Sequence, residues 1–251
     1  MKRACMLLMV TLIAAMSTQA LAIEVDDIIA KNIEAIGGIK KIKSVNTMQM
    51  FGKSHVQSLE FPFTMTQMRP NKMRIETTIQ GQTMIQALDS ETGWYINPMS
   101  GSTEPQEMSE LVVKQFKLQA DMDGFLVDYQ DKSYTVKLIG EEDVEGTPTY
   151  QLTVTDTADL HVDIYLDVEY FLDIKWTIKG EREGNTFEMD LYFSDYKEVD
   201  GMLMAHAMET KSGGQVVSQI TFDSISVNPE IDSTIFKMPE KEEKAKESDK
   251  E

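Results

Sequence analysis

From Val45 to the end of the folded part of the chain, apolar residues return at every second position. Val162, Ile164, Leu166 and Val168 set the pattern, followed by Tyr170, Leu172, Ile174, Trp176 and Ile178, then Phe187, Met189, Leu191 and Phe193. Water-facing residues such as Asp163, Lys175 and Asp190 stand between them. Only a strand sends i, i+2 and i+4 to one face, so the pattern predicts antiparallel strands with one buried face. Further strands are expected at 45–53, 61–69, 72–80, 83–89, 93–97, 134–139, 149–155, 203–210 and 215–227. Together these make about a dozen strands at meander spacing, a mainly β chain. Two segments break the period. Residues 26–43 place Ile28, Ile29, Ile33, Ile36, Ile39 and Ile42 at helical spacing, with Gly37-Gly38 dividing a helix from a short second turn. Residues 109–121 read as a helix capped by Ser109, with Leu111, Val112, Phe116 and Ala120 on one side.

The N-terminus carries an export signal. Lys2 and Arg3 precede the apolar run Met6–Met16, and Ala20-Leu21-Ala22 offers the small residues of a cleavage site, so residues 1–22 are expected to leave before Ile23. The apolar run is too short to span a bilayer, which takes about 20 residues. Of the 251 residues, 229 remain, and the single cysteine, Cys5, departs with the signal. No disulfide can then support residues 23–239, whose length suits one large β-domain held by its core as readily as two small ones. Loss of Lys2 and Arg3 lowers the 24 basic residues to 22 against 42 acidic ones, a net charge of −20. That surface repels nucleic acid and anionic headgroups, and the expected compartment is the periplasm. Residues 240–251 (EKEEKAKESDKE) have no apolar face to bury and read as a disordered acidic tail.

Catalytic signatures are missing: there is no Gly-rich phosphate loop, Gly-x-Ser-x-Gly elbow, Cys-x-x-Cys or His-Glu-x-x-His. A non-catalytic chain with no cofactor is expected. The one metal candidate is Met204-Ala205-His206-Ala207-Met208, where a strand would put two thioethers and an imidazole on one face, a soft set suited to Cu(I). Methionine is also an adaptable core filler, so Met204, His206 and Met208 fit a packed face equally well. Asp121-Met122-Asp123-Gly124 lacks the later acids of a calcium loop and reads as a turn.

Three segments in order carry a resemblance: Met68-Arg69-Pro70-Asn71-Lys72-Met73-Arg74, the stretch Leu88-Asp89-Ser90-Glu91-Thr92-Gly93-Trp94-Tyr95-Ile96-Asn97-Pro98, and the ending Ile231-Asp232-Ser233-Thr234-Ile235-Phe236-Lys237-Met238-Pro239. They resemble the strand junction, tryptophan hairpin and closing strand of the LolA-like periplasmic lipoprotein carriers and outer-membrane lipoprotein-sorting proteins. The resemblance implies an incomplete antiparallel β-barrel with helices covering its concave apolar face. It also implies a partner: lipoprotein acyl chains or related lipid, handed from an inner-membrane lipoprotein-releasing transporter to an outer-membrane acceptor. Phe61, Phe63, Met65, Met73, Ile75, Ile79 and Trp94 are the expected cavity residues. Arg69, with Leu111, Val112 and Phe116 of the second helical segment, is the expected lid contact. The chain is longer than the carriers and carries Ala120–Tyr129 after the lid helix. A regulatory envelope-stress sensor of the same fold and a copper-binding protein are the alternative readings, with an enzyme using an unlocated acidic pair behind them.

Overall fold

The computed structural model describes residues 23–240 apart from 158–159 and 183–184. The expected signal peptide and nearly all of the acidic tail lie outside the described residues. The chain opens with α1 (Val25–Ala35) and α2 (Ile39–Ser44), separated by Gly37-Gly38. A first meander follows: β1 (Thr47–Val56), β2 (Leu59–Met68), β3 (Lys72–Ile79), β4 (Gln82–Asp89), β5 (Thr92–Ile96) and the short β6 (Gln106–Glu107). After α3 (Glu110–Ala120) comes a second meander. It consists of β7 (Thr135–Val144), β8 (Thr147–Thr155), β9 (His161–Asp167), β10 (Asp173–Arg182), β11 (Asn185–Val199), β12 (Met202–Ser212) and β13 (Gln215–Val227).

Among the described residues, the 13 strands form one antiparallel sheet in the order β6-β5-β4-β3-β2-β1-β13-β12-β11-β10-β9-β8-β7. The two meanders are joined where the last strand pairs with the first, Met50 opposite Ile225. The sheet does not close, because β6 and β7 are its two edges. Gly52 marks a register shift at this seam: a Cβ there would lie 2.2 Å from the Thr221 carbonyl oxygen and 3.1 Å from the Phe63 ring. Only glycine allows β13 and Phe63 to approach so closely.

The strand period is read correctly in most strands, with local departures: Asp163, expected to face water, is only 3% exposed and accepts from Thr153 and Lys179. Tyr170 is exposed in the β9–β10 turn rather than in a strand, because Asp167 accepts hydrogen bonds from the Glu169 and Tyr170 amides and curls the chain. Gln106–Glu107 pair with β5 although their sequence shows no period. Ser109 occupies the N-cap of α3, yet its side chain makes no cap hydrogen bond, and Ile39 of α2 is exposed.

One face of the sheet is covered at both flanks. On the second meander, Ile28 and Ile29 of α1 and the segment Phe125–Leu126 pack over Leu152, Val154, Val162, Ile164 and Leu166. On the first, Phe116 and Ala120 of α3 bury Met73 and Leu88. A methionine cluster of Met48, Met50 and Met202 with Val45 packs at the α2 end of the seam. The opposite face of the first meander is closed by the segment after β13: fully buried Phe236 accepts a 2.7 Å hydrogen bond at its carbonyl from the Trp94 indole, and Arg74 donates to the Ile235 carbonyl.

Candidate functional site

Between the two covered flanks, the inner face of β11, β12, β13, β1 and β2 forms an apolar floor. Cross-strand pairing aligns Phe193 with Met208, Met208 with Ile220, Gly52 with Phe222 and Phe63, and Met50 with Met65. Aromatic contacts form its two sides, with Met208 and Ile220 between them. Phe125 meets Trp176 at 5.2 Å between ring centroids, Trp176 meets Phe193 at 4.8 Å, and Phe63 meets Phe222 at 5.7 Å. Trp176, Phe193, Met208, Ile220, Phe222 and Met65 are only half-buried, so this lane is apolar surface that neither flank covers completely. The Trp176 indole donates to Asp173 at 2.6 Å, which fixes the ring on the floor; burial pushes the Asp173 carboxyl up despite that hydrogen bond.

The cavity residues expected from sequence divide between the faces. Phe63, Met65, Met73 and Ile75 share the inner face, with Met65 opposite Ile75 and Phe63 opposite Thr77. Phe61 and Ile79 extend that face toward the hairpin tips and are half-buried. Trp94 does not belong with them. It pairs with Ala87, which pairs with Arg74, a row on the opposite face where Phe236 covers the indole. Trp176, Phe193 and Phe222 take its place on the floor. They were missed because the seam between β1 and β13 joins segments far apart in sequence. Beside the floor, a pocket of about 520 Å³ opens under the start of α3, lined by Met84, Gln86, Tyr95, Met108 and Val112 among others.

Arg69 ties the covering segments to the sheet. Its Nε donates to the Val45 carbonyl at 2.6 Å and one Nη to the Ile42 carbonyl at 3.3 Å, so it holds the end of α2. The two Nη groups also bind both oxygens of Asp123, at 3.0 and 2.5 Å, just beyond α3. Lys43 of α2 adds ion pairs to Asp123 at 2.7 Å and to Asp128 at 2.6 Å. The Asp123 carboxylate is nearly buried. Burial works against its charge, but the hydrogen bonds from Arg69 and Lys43 outweigh that and hold its pKa below the ordinary carboxylate range. Gln67 adds a 2.9 Å hydrogen bond to the Gln119 carbonyl at the last turn of α3. Val112 and Phe116 face the sheet from α3, whereas Leu111 is 52% exposed: the inward positions are 112, 113, 116 and 120, and Leu111 falls off that stripe.

Met204, His206 and Met208 alternate along β12 and so share one face of the sheet. Met204 joins the methionine cluster, and His206 Nδ1 lies 2.9 Å from the Met204 carbonyl oxygen in its own strand. No group of three or more His, Cys, Asp or Glu side chains suited to a metal occurs among the described residues. Asp121 pairs with Lys132 at 2.5 Å and Asp123 with Arg69, so both acids of the Asp-x-Asp turn serve cations of the chain itself.

No family model and no curated protein matches this sequence. Solved structures do match its fold. A LolA superfamily protein from Nitrosomonas europaea superposes with a TM-score of 0.56 at 10% identity, over 83% of this chain and 96% of the other. The chain has the LolA-like fold. A putative outer membrane lipoprotein-sorting protein domain from Vibrio parahaemolyticus gives a TM-score of 0.54 at 12% identity, covering 83% and 97%. A DUF1329 family protein from Desulfovibrio piger gives 0.57 at 11%, covering 85% and 97%. Among the described residues, no helix is long and apolar enough to cross a membrane.

Proposed function

We propose that this LolA-like chain is a non-catalytic carrier or binding protein for acyl chains, of lipid or of lipid-modified protein, in the periplasm. The observation that carries the reading is the half-buried lane of Met65, Phe222, Met208, Phe193 and Trp176 between two covered flanks. An extended hydrocarbon chain laid there would remove apolar surface from water on both partners, at roughly 25 cal/mol per Å² buried. Thioethers at Met65 and Met208 adapt to chains of differing shape without a fixed jigsaw fit. The Vibrio structure, by its own description a putative lipoprotein-sorting domain, lends the fold a precedent for this cargo. An inner-membrane transporter that releases lipoproteins and an outer-membrane acceptor are the corresponding partners.

Native mass spectrometry of the purified protein, followed by titration with an environment-sensitive acyl probe, tests the reading. A co-purified acyl species, or saturable probe binding that Met65→Glu abolishes while circular dichroism stays native, is the expected result. An unpaired carboxylate among acyl chains either costs several kcal/mol or takes up a proton. Absence of both a bound lipid and saturable probe binding overturns it.

A further inference from the structure

The two ends of the half-barrel differ in chemistry. At the end that holds α2 the turns are charged: Arg69 and Lys72 flank the β2–β3 turn, Asp89 and Glu91 the β4–β5 turn, and Asp200 of the β11–β12 turn pairs with Lys41. At the other end, three hairpins that neighbour one another in the sheet have uncharged tips. These are Val56-Gln57-Ser58-Leu59 joining β1 to β2, Ile79-Gln80-Gly81-Gln82 joining β3 to β4, and Ser212-Gly213-Gly214-Gln215 joining β12 to β13, with Val216 and Val217 following in β13; Lys211, the partner of Val216, and Glu60, beside Leu59, stand directly behind these tips. In a chain of which 26% is charged, this run of neutral tips stands out. Toward β10 and β11 the patch is bounded by exposed Glu181.

The neutral tips also expose large apolar side chains. Leu59 is 59% exposed, Val216 51%, Val217 43% and Val56 38%. Val56 pairs with Leu59, and both lie on the inner face in line with Phe61 and Phe63. The apolar floor therefore runs without a charged side chain through Phe61 to the exposed rim.

We infer that this rim docks on a phospholipid bilayer of zwitterionic headgroups, with Leu59, Val56, Val216 and Val217 passing below the headgroups and the Gln, Ser and Gly residues of the tips lying among them. The inference rests on the acyl-binding reading of the floor and names its point of exchange: a chain leaving the bilayer would reach Phe61 without crossing water. The strongly acidic chain disfavours an anionic surface, whereas a net-neutral headgroup layer presents no repulsion to an uncharged rim.

Co-sedimentation with phosphatidylcholine vesicles is the test. The wild-type protein should partition onto the vesicles, and Leu59→Glu combined with Val217→Glu should lower that partition by about tenfold or more. Phe51→Glu, at an exposed apolar site on the opposite face of the sheet, should partition as wild type. The serine pair Leu59→Ser with Val217→Ser replaces the acidic pair if circular dichroism shows the latter unfolded. A wild-type protein that stays in the supernatant, or a folded double variant that partitions as wild type, overturns the inference. So does a rim that instead drives concentration-dependent self-association without vesicle binding. Failure of the floor would appear separately, as loss of probe binding in the wild type.

Discussion

Replacing Asp123 with alanine should unfasten the latch that Arg69 makes. The wild-type carboxylate accepts from Arg69 at 3.0 and 2.5 Å and from Lys43 at 2.7 Å, with its side chain only 8% exposed. Each hydrogen bond to a charged group contributes about 1.5–3 kcal/mol, and breaking a fully buried pair costs about 3–5. The Arg69 and Lys43 side chains keep 25% and 39% of their surface, so solvent screens both, and Arg69 retains the Val45 and Ile42 carbonyls. The expected loss is therefore about 2–3 kcal/mol, read by urea unfolding, with faster hydrogen exchange in residues 121–128. Arg69→Leu should cost a similar amount, and the double variant should fall short of the sum by about 1 kcal/mol or more. The pH dependence has a definite sign. Because the folded-state pKa of Asp123 lies below its unfolded value, the latch contributes fully above the ordinary carboxylate pKa, about 4, and is lost as pH falls through the folded value. Asp123→Ala should flatten that acid limb. A loss below about 0.5 kcal/mol, or strict additivity with Arg69→Leu, would refute the reasoning.

Three further outcomes follow from the packing. Phe236→Ala, at a fully buried site over Trp94, should cost about 3–5 kcal/mol in urea unfolding and red-shift the Trp94 emission. Gly52→Ala forces a Cβ to within 2.2 Å of the Thr221 carbonyl oxygen, and a loss of about 2 kcal/mol or more should appear as a lower melting temperature. On α3, Phe116→Ala should cost about 3 kcal/mol while exposed Leu111→Ser stays within about 0.5 kcal/mol of wild type.

The alternation of Val162 to Phe193 located the strands because a half-buried sheet writes its period directly into the chain. It could not say which strands meet. The pairing of β1 with β13 joins residues such as Met50 and Ile225, and the floor exists only through that seam. Phe222, Phe193 and Trp176 were visible as strand residues but not as one surface with Phe63. Trp94 was assigned to the wrong face for a related reason: its parity relative to Phe63 depends on registers across β2, β3, β4 and β5, and its covering residue, Phe236, comes from the far end of the chain. Arg69 was readable as an arginine in need of acceptors, whereas Asp123 read only as a turn residue. Only α3 brings that turn across the end of the sheet to Arg69. Leu111 could have been excluded by a stricter reading of the wheel, since 112, 116 and 120 fall on a stripe that 111 does not share.

The central claim, that acyl chains lie on the inner floor, is tested most directly by tryptophan quenching, because the two tryptophans occupy opposite faces of the sheet. A bromine-substituted fatty acyl chain quenches an indole only on close contact. Trp176 stands on the floor against Phe193 at 4.8 Å, while Trp94 is sealed under Phe236. The account predicts saturable quenching in wild type that persists in Trp94→Phe and disappears in Trp176→Phe. Quenching that survives Trp176→Phe, or none at saturating ligand in the folded wild-type protein, would contradict it.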